Sequence, residues 1–104
     1  MQILFLNPKV ENKIFYFDKS SLAKIRHSLE MLSKYNTNLG LPLVREMDRN
    51  LFELRIKGIQ QVRIFYCYYN SQIVILHSFI KNTQKTPKNE LSTVKSKLNL
   101  LTEI

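Results

Sequence analysis

The sequence predicts an α+β domain, and three observations carry that expectation. Between Leu51 and Ile80, apolar and β-branched residues run as three short segments broken by turn residues, the mark of a strand meander. On either side, Leu22, Ile25, Leu29 and Leu32, and then Leu91, Val94, Leu98 and Leu101, recur at helical spacing. The links inside the meander are too short for a crossover, so its strands must run antiparallel.

Taken in order, Gln2 to Leu6 is a short apolar run that predicts a strand. Asn7-Pro8 then offers an N-cap followed by a proline at the first helical position. Val10, Ile14 and Phe17 continue that helix to about Phe17, and Asp18 to Ser21 breaks it and caps the next, which runs to about Tyr35. A link this short predicts an antiparallel helical hairpin. Asn36 to Asn50 is polar and interrupted by Gly40 and Pro42, which predicts a loop with one helical turn at Leu43 to Met47. From Leu51 to Lys57, Phe52, Leu54 and Ile56 alternate with Glu53, Arg55 and Lys57, as a strand with two different faces requires. Gly58 makes a turn, Gln61 to Tyr69 forms the second strand, Asn70-Ser71 turns again, and Ile73 to Ile80 forms the third. Thr86-Pro87 opens a last helix to about Thr102, with Thr86 as N-cap.

The 104 residues suit one domain with one modest core, and the mixture of 44% hydrophobic and 23% charged residues argues against disorder. No apolar run approaches a membrane span, and MQILFL is too short and lacks the basic residues of a secretion signal. A lone Cys67 suits a reducing cytoplasm, where it packs as a small apolar side chain. Sixteen Lys and Arg against eight Asp and Glu give a net charge of +8. Residues 54–104 hold eight cations and two anions, whereas residues 1–53 hold eight and six. A basic half of that kind favours polyanions, nucleic acid being the usual one, although scattered lysines also serve solubility.

Within the strands, Arg55 and Arg63 interrupt apolar runs, and Lys81 and Lys85 follow the last one. A cation in a half-buried strand must reach water or an anion, so this set suggests a phosphate-binding face. Glu53 can equally pair with either arginine across the strands. His77 lies in an apolar strand, and its face relative to Arg63 depends on hairpin register. A two-residue Asn70-Ser71 turn pairs Arg63 with Ser78, while a three-residue loop sets it opposite His77. No metal ligand set emerges, because His27 and His77 are 50 residues apart and no clustered cysteines or carboxylates join them. No glycine-rich phosphate loop and no cofactor motif is present.

The pieces LFELRI, VRIFY, ILHSFIK and NTQKTP, in this order and spacing, resemble the phage-derived HigB-like branch of the RelE/ParE toxin superfamily. The resemblance implies a compact RelE-like fold: a twisted antiparallel sheet, helices packed on one face and a basic concave surface on the other. It implies a small cytoplasmic toxin of a type II toxin–antitoxin system, a metal-free endoribonuclease acting on mRNA held by the ribosome. Its implied partner is a helix-turn-helix antitoxin that covers the basic face or clamps the helices. Residue by residue, Arg63 matches the arginine set against the scissile phosphate, Arg55 a basic position on the neighbouring strand, and Lys81 a cation just past the last strand. Glu53, His77 and the tyrosines Tyr66 and Tyr68 are candidates for base and acid. Lys57, Lys85, Lys88 and Tyr66 are candidates for RNA contact, Tyr66 by stacking a base. The C-terminal aromatic and histidine cluster of several relatives is missing here. A ParE-like gyrase inhibitor and an inactive toxin that only binds its antitoxin remain open alternatives.

Overall fold

Two tight turns organise the sheet. In the computed structural model, which describes residues 1–82 and 86–102, Asn70 and Ser71 both adopt positive φ (53° and 59°), joining Val62–Tyr69 (β4) to Gln72–Ile80 (β5). Positive φ at both central residues matches the right-handed twist of hairpin strands. Likewise Arg49-Asn50, with Asn50 at φ 52°, joins Val44–Asp48 (β2) to Leu51–Ile56 (β3). Asn50 also reaches across to β4, its amide donating to the Tyr68 carbonyl (2.9 Å) and its Oδ1 accepting from the Tyr68 N–H (3.0 Å). With Ile3–Phe5 (β1), the five strands lie in the order β1-β5-β4-β3-β2.

The antiparallel meander β3-β4-β5 is the one its sequence predicts, but the sheet is mixed, because β1 pairs parallel to β5. Residues 6 to 71, with two helices and three strands, lie between β1 and β5 in the chain, more than enough to bring it back to the same end. The loop expected at residues 36–50 is a second correction. Only Asn36–Asn38 forms a short 3₁₀ turn, and Val44–Asp48 is an edge strand rather than a helical turn. Its sequence, VREMD, shows one buried residue, Val44, so its periodicity is masked by the charges that keep a sheet edge from pairing with another chain.

Pro8–Phe15 (α1) and Lys19–Tyr35 (α2) begin at the expected caps: Asn7 Oδ1 accepts from the Val10 N–H (2.9 Å), and Asp18 Oδ2 from the Ser21 N–H (3.2 Å). The first helix stops at Phe15 instead of Phe17 because its last N–H groups turn back to the third preceding carbonyl, as Phe17 does to Ile14. The chief neighbours of α1 are β5 and β1, and that of α2 in the sheet is β3, so the sheet arranges the two helices. Lys88–Thr102 (α3) starts one residue later than its Pro87 suggested.

Two cores result, one on each face. Val10, Ile14, Ile25 and Leu32 pack with Leu54, Ile56, Ile64, Tyr66, Ile73 and Ile75. On the other face, Val94 with Leu91, Leu98 and Leu101 packs on Leu51, Phe65, Cys67, Val74, Leu76 and Phe79. Helices therefore cover both faces, not one, and the expected open basic face is partly occupied by α3. The reason is hydrophobic: that face carries Phe65, Leu76 and Phe79, and each such side chain gains about 1.5–3 kcal/mol on leaving water. No helix among the described residues is long and apolar enough to cross a membrane.

Candidate functional site

Alternation along β3 sends Leu51, Glu53 and Arg55 to the face shared with α3, while Phe52, Leu54 and Ile56 face the other core. On β4 the same alternation gives that face Arg63, Phe65 and Cys67. Arg55 and Arg63 are direct cross-strand partners, and Arg45 of β2 stands opposite Glu53. The two arginines expected to act together thus point to one side of the sheet. Arg45 joins them through a strand that sequence reading missed; the Asp48 to Asn50 turn residues just ahead of LFELRI are the signal that could have found it.

Glu53 is the hub of this cluster. It is 1% exposed, and its Oε1 lies 3.3 Å from Arg55 Nε and 3.8 Å from Arg63 Nε, while its Oε2 accepts from the Thr86 hydroxyl at 2.9 Å. Thr86 therefore serves the hub with the hydroxyl expected to cap the last helix. Arg63 lies deep, with Nη1 donating to the Val62 carbonyl and Nη2 to Gln61 Oε1, each at 3.1 Å. Its Nε has no hydrogen-bond partner, so Glu53 holds it by charge alone. Burial works against the Arg63 charge, Glu53 sustains it, and Arg55 opposes it. Arg55 keeps 23% of its side chain exposed. Half-buried Lys81 has its pKa lowered, by burial first and then by Arg63, with Arg55 and Arg45 adding to the effect against Glu53. Four cations around one carboxylate leave a net positive cluster, whose surface is Arg55, Lys81 and Arg45 and whose base is Arg63.

His77 reaches the same face by a route that neither register alternative allowed. The turn does have two residues, but a bulge between Phe65 and Tyr66 of β4 and their partners on β5 inserts Leu76, so Phe65 pairs with His77 and Arg63 with Phe79. An extra residue reverses the alternation beyond it. His77 Nε2 meets Glu90 Oε2 of α3, and Nδ1 accepts from Lys97 Nζ at 3.2 Å. Lys97 can only donate, so the ring proton sits on Nε2. The pKa of His77 is lowered, by burial first, with Lys97 and Lys13 adding to it against Glu90. Glu90 and Lys97 also went unforeseen, being two of many polar residues on the last helix.

The remaining expected residues divide. Lys57 and Lys88 are exposed at the end of β3 and the start of α3, and Lys85 lies outside the described residues. Tyr66 corrects an expectation. It is 1% exposed on the opposite face, stacked on Phe52 at 5.4 Å and edge-on to Tyr68, so its ring has no surface from which to stack a base. Its hydroxyl pKa is raised, chiefly by burial. Cys67 is buried as expected, and burial pushes its thiol up to about 11.

The sequence profile of the family described as Phage derived protein Gp49-like (DUF891) matches residues 12–99. No curated protein matches the chain.

Proposed function

The chain belongs to the Gp49-like family of phage-derived, toxin-like proteins, and from that premise we propose that it is the toxin of a toxin–antitoxin pair and cleaves mRNA on the ribosome. The observation that carries this reading is the cluster of Arg45, Arg55, Arg63 and Lys81 on one side of β2–β5, gathered around Glu53.

Cleavage by the neighbouring 2′-hydroxyl needs no nucleophile from the protein. What it needs is a strand set for in-line attack and positive charge where the phosphorane gathers negative charge. In this proposal Arg55 grips the scissile phosphate, its planar fork engaging two oxygens, and Lys81 and Arg45 line the approach. Arg63 sits beneath as a fixed charge, and Glu53 aims Arg55 while compensating Arg63. Glu53 thereby becomes a positioning residue: its two oxygens are occupied, which leaves it poorly placed to take a proton. His77, tied to Glu90 and Lys97, is likewise spoken for. Proton transfer then falls to water or to groups of the ribosome-bound message. The partner in this proposal is a helix-turn-helix antitoxin set over Arg55 and Lys81.

Inducing the chain should arrest growth and produce mapped breaks within translated mRNA, and Arg55→Ala should relieve both by at least about a hundredfold. Growth arrest with intact transcripts rejects the proposal. Double-strand DNA breaks in the same cells would point instead to gyrase.

A further inference from the structure

We propose that the cleft between α1 and α3, floored by His77 and Ser78, is a second phosphate-binding site, separate from the Arg55 cluster. The cleft has a volume of about 350 Å³ and is lined by Lys9 and Lys13 of α1, His77 and Ser78 of β5, and Thr93 and Lys97 of α3. Lys9 and Lys13 are four apart on one helix, and so are Thr93 and Lys97 on the other, so each helix turns one polar face to the cleft.

Charge and satisfaction both point to an anion. Three ammonium groups converge, and Glu90, the carboxylate that acts on Lys97, is already engaged by His77 Nε2. Among the described residues, neither Lys9 nor Lys13 has an ion-pair partner, and Lys97 spends one donor on His77 Nδ1. Lys97 has its pKa lowered, by burial first and then by Lys13 and Lys9, the crowding that a bound anion would relieve. Independently, Ser78, which lines the cleft, is 1% exposed, and its buried hydroxyl has no hydrogen-bond partner. A buried hydroxyl left unpaired is uncommon and costly, and a phosphate oxygen would accept its proton. The cleft thus offers up to four donors and no lining carboxylate, which suits a phosphate group. That phosphate is either one linkage of a polynucleotide backbone or a free ion.

The test titrates inorganic phosphate into the full-length chain and follows the His77 ring resonances by NMR, with chloride at equal ionic strength as control. A saturable shift with phosphate alone is expected, and the Lys9→Gln/Lys13→Gln/Lys97→Gln variant should weaken it at least about tenfold. Lys9 and Lys13 are exposed and Lys97 is half-buried, so helical dichroism is recorded to show that the variant folds; Ser78→Ala gives a second, single-atom check. An uncleavable 2′-O-methyl oligonucleotide that displaces the phosphate identifies a backbone linkage; failure to displace identifies the free ion, and both support the site. No shift beyond chloride, unchanged binding in the triple variant, or a response only to a glutamate-rich peptide would overturn it. Arg55→Ala should leave this binding intact, so loss of the nuclease reading and loss of this site are separable.

Discussion

At the residue scale, the buried carboxylate decides more than the exposed cations do. Removing one partner from a buried ion pair strands the other charge, at about 3–5 kcal/mol. Glu53→Ala strands Arg63, which is 4% exposed, so urea denaturation should show a loss of that size, with Arg55→Ala losing far less. Equal losses for both variants would show that Arg63 is not the dependent partner. Tyr66 gives the opposite kind of prediction. Tyr66→Ala should destabilise by about 3–5 kcal/mol as a core deletion, while Tyr66→Phe leaves RNA binding unchanged because the ring faces the apolar core. His77 adds a pH dependence. Its folded pKa lies below the ordinary value, so the unfolded chain binds the extra proton more readily. Stability is therefore full above pH 6.5 or so and declines as pH falls through the lower folded value. Thermal melts between pH 7.5 and 5 should show a steeper acid loss in the wild type than in His77→Gln.

At the scale of elements, turns and one bulge set what the strands present. Ser71 holds φ 59° without being glycine, at a cost of about 1 kcal/mol. Ser71→Gly should accordingly raise the urea midpoint by about 0.5–1 kcal/mol of stability, and a lower midpoint would argue against the turn described. Beyond the turn, the alternation in QIVILHSFI reads as unbroken in the sequence, yet the bulge at Leu76 moves His77 onto the face of Arg63. Bulges depend on the twist and packing of the paired strand, which no single strand's pattern records. The edge strand β2 was hidden for a related reason. Its charged residues obey the demand that an edge be unattractive to other chains, and that demand erases the periodicity by which strands are recognised.

At the scale of the whole molecule, a charge of +8 has a measurable consequence. Polyanion binding releases counterions, so affinity for single-stranded RNA should fall steeply with salt, with a log–log slope of about −0.7 per phosphate contacted. Arg55→Ala and Lys81→Ala should each flatten that slope by roughly one contact, whereas Arg26→Ala on the distant, exposed side of α2 should not. A slope unchanged by all three would place RNA elsewhere on the surface. What the sequence determined by itself was local: the caps at Asn7 and Asp18, the amphipathic stripes, the meander, and the alternation that puts Glu53 and Arg55 on one side of β3. Those follow from spacing along a few consecutive residues. The tertiary structure alone decided which strand would close the sheet in parallel, that α3 would pack on the face of Phe65 and Phe79, and that Thr86 would meet Glu53 and that Glu90 and Lys97 would meet His77, contacts that cross from one element to another. Such meetings arise from packing two apolar faces at once, and a linear pattern carries no term for that competition.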